Sequence, residues 1–311
     1  MVKYILKKII SKIFVLFIVT IMAFVLANIS RIDPAESYVR RTCMMATNQQ
    51  VEDMREEIGL NDPIIIQYRN WLSNIMHSDF GTSLITGNKV LDDIKDIIGP
   101  TFLLVITSTL FALIVGILIG VLCAIYKDGV FDKIIRFITL SGISVPNFWV
   151  GFLLLCFFAI KLNIIPVVSK VNFRCLILPS ITMSIIPTAQ YIRLVRNSIL
   201  DNMNKDYVLY SRARGLPKRI VIYKHVLKNA IQPLIPIFFQ NFAYLIIGSA
   251  IVETVFTWPG MGLYMINAVI GRDFKVVVFY VLLSAVIFSI CSIISDIVNV
   301  KFNKQLMKDK G

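Results

Sequence analysis

The chain has 311 residues, of which 57% are hydrophobic and 16% charged, and its formal net charge is +13. Soluble domains hold about 45–50% apolar and about 25% charged residues, so this composition excludes an ordinary soluble protein. With 15 Gly, 11 Pro and 5 Cys residues, it also excludes collagen-like and disulfide-stapled chains. The apolar residues stand in long runs between charged segments, which is typical of an all-α protein that crosses a membrane several times.

Six apolar runs are long enough to cross the hydrocarbon core of a bilayer, which takes about 20 helical residues. The first run exceeds the hydrophobic part of a signal peptide, about 7–15 residues, and no small-x-small cleavage site follows it. It is therefore predicted to be an uncleaved anchor. The predicted spans are Ile9 to Ile29, Thr101 to Tyr126, Ile134 to Ile160, Leu176 to Leu194, Pro233 to Val255 and Val276 to Val300.

The basic residues predict the orientation of these spans. Most of the 32 Lys and Arg residues fall in the two termini and in the second and fourth connections, together with a minority of the 19 acidic residues. Cytoplasmic segments are enriched in Lys and Arg, so both termini are predicted to be cytoplasmic. A nucleic-acid-binding patch is the alternative interpretation. Because the charge is spread over short segments beside spans, topology is favoured and no nucleic-acid partner is expected.

The first connection, from Ser30 to Pro100, is too long for a plain loop and is predicted to carry structure of its own. Within it, Asn61-Asp62-Pro63 is a helix start, since Pro is favoured in a first turn. Apolar residues then recur at helical spacing until Gly81. We predict an amphipathic helix packed on the outer ends of the spans. A structural cap is favoured over a ligand site for it.

The longest connection on the predicted cytoplasmic side separates the fourth and fifth spans and lies within residues 195–232. Periodicity predicts two short helices broken at Gly215-Leu216-Pro217, because Gly ends a helix at little cost and Pro disrupts a helix interior. The first helix could lie in a groove of another protein. Alternatively, the basic segment binds anionic lipid headgroups.

The predicted spans contain few polar residues, and none of the spans carries a charged residue near its centre. An ion-driven carrier usually needs a buried ionisable group or an ion site on a broken helix, so this pattern argues against such a carrier. The neutral polar residues could line a polar passage or merely bond neighbouring helices. The candidate residues for a passage are Ser144, Asn147, Gln190, Gln240 and Asn241.

Catalytic and metal motifs are not recognisable in the sequence. The chain contains no Gly-Lys dipeptide, so the Gly-rich loop that cradles nucleotide phosphates is missing. It has two His residues and no Cys/His spacing typical of a metal site. We therefore expect a non-catalytic protein without a metal site. If it moves a substrate uphill, another subunit must supply the energy.

Four sequence stretches resemble the binding-protein-dependent ABC importer permeases, and most closely their dipeptide, oligopeptide and nickel branch. Leu209-Tyr210-Ser211 stands where the wider family often has Glu-Ala-Ala, and Gln232 replaces the usual Leu, but the branch varies at the first of these sites. The matching stretches are Asp206 to Gly215 with His225 to Ala230 and Pro233, Asn61-Asp62-Pro63 with Gln67-Tyr68 and Asn70-Trp71-Leu72, Asp79 to Ser83, and Glu253 to Gly262 ahead of Arg272-Asp273.

The resemblance implies a type I importer core of six transmembrane helices in the cell membrane. Residues 1–98 would form an anchor and a structured extracytoplasmic segment, residues 99–300 the core with its coupling loop at 195–232, and residues 301–311 a cytoplasmic tail. A second permease subunit, as a heterodimer, two cytoplasmic ATPases and an external substrate-binding lipoprotein would be the partners. ATP and Mg would bind the ATPases, with no cofactor on this chain. Peptides and nickel or other metal chelates are not distinguished as substrates.

The resemblance also implies two functional regions. Gly215 is expected to end the docking helix with a positive φ. Trp258 could anchor the fifth span at the membrane interface instead of gating. If the turn acts as a gate, Gly260→Val is expected to reduce stimulation of the ATPases by loaded binding protein and to leave subunit assembly intact. A secondary carrier or a membrane scaffold or sensor is the alternative function. The coupling residues would be Tyr207, Ser211, Ala213, Gly215 and Leu216, and the external gate residues Glu253, Trp258, Pro259 and Gly260.

Overall fold

The computed structural model describes residues 2–29, 35–36, 39, 47–57, 59–166 and 171–302. Most of these residues are helical. The predicted tail from residue 303 lies outside the described residues. The helices are α1 (Val2–Ile29), α2 (Asn48–Glu57), α3 (Ile64–Met76), α4 (Val90–Ile125), α5 (Val130–Ser144), α6 (Asn147–Leu155, continued by a π-helix at Cys156–Lys161), α7 (Phe173–Asn202), α8 (Asp206–Ala213), α9 (Lys218–Val221, followed by a π-helix at Ile222–Val226), α10 (Leu227–Ala230), α11 (Leu234–Val255), α12 (Met261–Ile270) and α13 (Phe274–Phe302).

Five of the described helices, α1, α4, α7, α11 and α13, are long and apolar enough to cross a membrane. The pair α5 and α6 makes a sixth candidate span, but its two halves are bent by 99°. The all-α fold with membrane-spanning helices is therefore confirmed. The predicted third span, Ile134 to Ile160, corresponds to this pair, and its helix is broken between Ser144 and Asn147.

The bend follows from Pro146, which stands between α5 and α6. Proline lacks the N–H that would continue the helix, and it disfavours the helical region for the residue before it. Val145 accordingly adopts an extended conformation, with φ −97° and ψ 132°. Pro146 is recognisable in the sequence as a helix breaker, but the apolar run around it does not give the size of the bend.

The chain divides into two compact units, of which the first comprises residues 1–9, 97–264 and 287–311. In this unit α7 packs against α5, α6 and α11. Gly116 lets α4 approach α7 closely, since a Cβ there would lie 2.5 Å from the Cβ of Tyr191. The same buried core continues into the segment after α7 and includes Val208 and Ile222. The predicted coupling loop is thus packed onto the helical bundle.

The second unit comprises residues 10–96 and 265–286. Here α3 packs on α1 through a cluster of aromatic rings, with Phe24 centred 5.2 Å from Tyr68 and 5.5 Å from Trp71. The Tyr68 hydroxyl also lies 2.9 Å from Thr20 Oγ1. The predicted amphipathic helix is confirmed, because α3 begins directly after Pro63 and ends at Met76.

A buried carboxylate organises the loop before α4 within the second unit. Asp273 Oδ2 accepts hydrogen bonds from Ser83 Oγ at 2.7 Å and from the Leu84 N–H at 2.6 Å. The rings of Phe80 and Phe279 meet edge to face, 4.6 Å apart. This loop is therefore fixed by polar and aromatic contacts together, although it contains little regular structure.

Candidate functional site

A cavity of about 480 Å³ lies within the first unit, between α6, α7 and α11. Two prolines shape it: Pro146 starts α6 at a sharp angle, and Pro187 interrupts the hydrogen-bond ladder inside α7. The described residues that line the cavity include no Asp, Glu, Lys or Arg. The lining residues are Pro146, Asn147, Phe148, Met183, Ile186, Pro187, Gln190, Asn241, Tyr244, Leu245, Gly248, Ile251 and Val252.

Three amide side chains contribute the polar part of the cavity wall. Asn241 Nδ2 donates a hydrogen bond to Gln190 Oε1 at 3.1 Å, which joins α11 to α7. Asn147, at the first turn of α6, lines the same cavity. The wall can therefore offer amide donors and acceptors to a polar solute without placing a fixed charge beside it.

The structure brings together three of the five residues predicted to line a passage, namely Asn147, Gln190 and Asn241. The other two lie apart from the cavity wall. Ser144 Oγ donates to the Leu140 carbonyl of its own helix at 3.1 Å, and Gln240 is exposed on α11. That any of the five contacts a substrate stays a prediction.

The segment after α11, which carries the predicted external gate, closes on a buried carboxylate. Glu253 is fully buried; its Oε1 accepts from Thr101 Oγ1 at 2.8 Å and its Oε2 from the Leu263 N–H at 2.9 Å. The Thr101 hydroxyl oxygen also accepts from the Met261 N–H at 2.7 Å. Both carboxylate oxygens of Glu253 thus bond to groups of this chain, and they link Thr101 of α4 to the turn that follows α11.

Trp258 lies inside this turn rather than at its surface. The side chain is fully buried, and its Nε1 donates to the Pro100 carbonyl at 3.1 Å. A tryptophan that anchors a span at the interface exposes its ring to headgroups, so the burial of the Trp258 ring within the chain argues against the anchoring role. Pro259 is exposed and Gly260 is buried. Of the four predicted gate residues, Pro259 alone offers a surface.

The predicted coupling loop contains the two expected short helices. Between α8 and α9, Gly215 has a φ of +78°, which confirms the predicted positive φ. Tyr207 and Leu216 pack against the core of the first unit, and Ser211 is buried with its Oγ donating to the Tyr207 carbonyl at 2.8 Å. Ala213 and Gly215 are exposed. Only these two of the five predicted coupling residues face outward.

Two apolar residues of α8 were not singled out from the sequence. Leu209 is 53% exposed and Tyr210 68% exposed, and together with Ala213 they form the outer face of α8. Ala213 is four residues from Leu209 and three from Tyr210, so it neighbours both side chains on one side of the helix. The sequence predicts that these residues share one face of the helix, but it does not predict which side of α8 the bundle covers. Thr101 was missed as well, because its partner Glu253 is 152 residues away.

Comparison with known proteins identifies the family. A family model described as the binding-protein-dependent transport system inner membrane component matches residues 116–308, and a model of its N-terminal part matches residues 1–105. The metal-staphylopine import system permease protein CntB of Staphylococcus aureus is 35% identical over 311 residues, covering 98% of each chain. The glutathione transport system permease protein GsiC of Escherichia coli is 32% identical over 303 residues, covering 97% of this chain and 98% of GsiC.

A solved structure of the MetNI methionine ABC transporter, in an inward-facing conformation, shares the fold. Its matched chain is 17% identical with a TM-score of 0.55, and the match covers 67% of this chain and 95% of that chain. At this identity the likeness supports the architecture alone. The family model and the two permease relatives carry the assignment: the chain belongs to the binding-protein-dependent transport system inner membrane components and is a multi-pass permease subunit of an ABC importer in the cell membrane.

Proposed function

We propose that this chain is one half of a heterodimeric permease that works with two cytoplasmic ATPases and an external substrate-binding lipoprotein. In this proposal the ATPases bind ATP and Mg, and this chain binds neither and catalyses no reaction. Binding of ATP displaces α8, and the spans then switch between inward- and outward-facing arrangements. A ligand that binds one of two states more tightly drives such a switch.

The outer face of α8 is the observation that carries this proposal. Leu209 and Tyr210 are large, exposed and apolar, and they lie on a helix whose other side is packed into the bundle. An amphipathic helix that offers a few apolar anchors fits a groove on a partner protein. The turn at Gly215 supports this role, because its positive φ ends α8 and redirects the chain into α9, so that the outer face of α8 stays uncovered within the described part of the chain.

The cavity supports a cargo of moderate size and mixed polarity. We propose a peptide or a metal chelate, including nickel chelates, which the amides of Asn147, Gln190 and Asn241 contact in transit. The relatives CntB and GsiC are named for metal-staphylopine and glutathione. The described residues of the cavity wall carry no charge. Such a wall suits this cargo, because it can form hydrogen bonds that exchange easily and does not coordinate an ion tightly.

Reconstitution tests the proposal. The chain is purified with the second permease and the ATPases encoded beside its gene, placed in proteoliposomes and supplied with the cognate binding protein. We expect uptake of labelled glutathione, nickel-staphylopine or a dipeptide that requires ATP and the binding protein together. Uptake driven by an ion gradient without ATP would identify a secondary carrier. An assembled complex that hydrolyses ATP and transports none of these probes would contradict the proposed cargo.

The orientation of the chain is part of the proposal and has its own test. The distribution of Lys and Arg favours a cytoplasmic Gly311 and an external His77. In a cysteine-free background, His77→Cys is expected to react with an impermeant thiol reagent in intact cells. Gly311→Cys is expected to react only after permeabilisation. The reverse pattern would invert the topology and remove α8 from the ATPase side.

A further inference from the structure

A buried ion pair joins α5 to α7 shortly before α7 leads into α8. Arg196 Nε donates to Asp132 Oδ1 at 2.7 Å, and Arg196 Nη2 donates to Asp132 Oδ2 at 2.7 Å. The exposed side-chain fractions are 0% for Asp132 and 10% for Arg196. Two parallel bonds between a guanidinium and a carboxylate fix orientation as well as distance. The pair therefore acts as a rigid fork between two helices.

The neighbouring charges balance the fork. Asp132 Oδ2 also accepts from the Asp128 N–H at 3.0 Å, at the turn before α5. Arg136 lies 3.8 Å from the carboxylates of both Asp128 and Asp132. A buried ion pair contributes little net stability, because desolvation of the two charges offsets their attraction. What this cluster fixes is the position of α5 relative to α7.

Further hydrogen bonds continue from α7 into the coupling loop. Asn202 Nδ2 donates to the Ser198 carbonyl at 2.8 Å, and Tyr207 Oη donates to Asn202 Oδ1 at 3.0 Å. These bonds hold the start of α8 against the end of α7. From the other side of the loop, Arg219 Nη2 donates to Tyr126 Oη at 3.0 Å, at the end of α4. The turn between α4 and α5 is thus bonded both from α7 and from α9.

We propose that Asp132 and Arg196 are positioning residues of the transport cycle. The ion pair makes α5 move together with α8. A displacement of α8 is then transmitted to α5 and, across the bend at Pro146, to α6 and the cavity. The alternative path runs along α7 itself, which meets the cavity wall at Gln190 and Pro187, and Pro187 removes a backbone hydrogen bond of α7 within that wall. This inference rests on the proposed function, because it takes α8 as the docking helix.

The test compares variants in which both charges are removed together. A single substitution at Asp132 or Arg196 leaves a buried charge unpaired and would simply destabilise the chain. The informative variant is the double substitution Asp132→Leu with Arg196→Met, which keeps the site filled. The matched control is Lys8→Met with Asp296→Leu, because Lys8 Nζ and Asp296 Oδ2 form another ion pair of the first unit, at 3.1 Å.

The readout is the distance between α5 and the start of α8, which needs no cargo. Spin labels are placed at Lys133→Cys and Lys205→Cys, both exposed positions, after the five native cysteines are replaced with alanine. The complete complex is measured in nanodiscs without nucleotide and with ATP and vanadate. Co-purification of the ATPases and their basal hydrolysis rate report assembly in each variant.

We expect one narrow distance, the same in both nucleotide states, for the wild type and for the Lys8 and Asp296 control. The double variant at Asp132 and Arg196 should assemble normally, yet its distance should shift between the states and its distribution should widen. Arg196→Lys keeps the charge but loses the fork, and it should show the same shift. If the double variant does not assemble, Arg196→Lys alone tests whether the ion pair makes α5 move with α8.

A wild-type distance that itself shifts with nucleotide would overturn the inference. So would an assembled double variant, or an assembled Arg196→Lys, with wild-type distances in both states. The proposed docking of α8 is tested separately with Gly215→Val. If that variant retains its ATPases with unchanged hydrolysis and uptake, the Gly215 turn does not set the docking geometry, and the part of the proposed function that takes α8 as the docking helix fails. If it loses them while the fork variants behave as wild type, only the role of the fork fails.

Discussion

Two glycine-containing turns of the first unit are constrained in opposite ways. At Gly215 the constraint is the backbone φ of +78°, and the space is open, since no atom of the described residues lies within 4 Å of where a Cβ would stand. At Gly260 the backbone is ordinary, but a Cβ would lie 2.5 Å from Thr101 Oγ1 and 2.6 Å from Glu253 Cδ. The first turn lies at the exposed surface that we propose as a docking site, and the second is part of the packed interior. The same substitution should therefore have different consequences at the two sites.

The largest effect is expected for Gly260→Val. The added side chain collides with the buried Thr101 and Glu253, and overpacking of this kind costs about 1–3 kcal/mol or more. We expect a lower melting temperature and less complex in the membrane, measured by thermal denaturation and by size-exclusion yield. This replaces the expectation, drawn from sequence, that assembly would survive.

Gly99→Val is the matched control for this substitution. Gly99 is exposed on α4, its φ is not positive, and within the described part of the chain no atom lies within 4 Å of its Cβ position. Its yield and melting temperature should stay near the wild-type values. Equal behaviour of Gly260→Val and Gly99→Val would show that the Trp258 turn is looser than its contacts indicate.

Thr101→Val should have the next largest effect. It keeps the shape of the side chain but removes the hydroxyl that donates to Glu253 and accepts from the Met261 N–H. Each buried group left unpaired costs about 1–3 kcal/mol. Thermal denaturation of the purified subunit should show a clear loss, and Thr101→Ser should recover most of it. A Thr101→Val protein as stable as Thr101→Ser would mean that the hydroxyl contributes little.

Gly215→Val should change function more than stability. A Cβ at positive φ costs about 1–2 kcal/mol, but the space around Gly215 is open, so the bundle itself is not disturbed. We expect normal membrane levels and a several-fold loss of ATPase co-purification. Normal co-purification with normal uptake would mean that the turn does not set the docking geometry.

The smallest effect on stability is expected for Tyr210→Ala. Its ring is 68% exposed, so truncation leaves no cavity in the fold. If Tyr210 is an anchor of the docking face, its loss should weaken ATPase binding by about 2 kcal/mol, as measured by titration. Tyr223→Ala is the control, because Tyr223 is 55% exposed in the same insert and lies off α8. Equal losses for both variants would place the contact elsewhere.

Sequence signals that act locally predicted much of the fold. Asn61-Asp62-Pro63 marked the start of α3, and the Gly215-Leu216-Pro217 break with its positive φ is present in the structure. These features depend on backbone preferences of a few adjacent residues. The break at Pro146 is equally local, whereas the angle of 99° between the two halves depends on how they pack.

Features that depend on distant partners were not predictable in the same way. Asp132 and Arg196 are 64 residues apart, and no periodicity connects them. Trp258 is an amphipathic residue near the end of a span, where an interfacial position is common. Its burial follows from the Pro100 carbonyl, 158 residues earlier in the chain. For the candidate site, residue type identified the amides of the cavity wall, but only packing showed which of them share it.

The bond between Thr101 and Glu253 also sets an order of events during biosynthesis. The two residues are 152 positions apart, so at about 5–20 residues per second the ribosome needs roughly 8–30 s to supply the second partner after the first. Throughout that interval the nascent α4 lacks the carboxylate that its hydroxyl will bond. The turn after α11 can close only after Glu253 and Leu263 have been synthesised, and a chain truncated before Glu253 would leave this closure permanently incomplete.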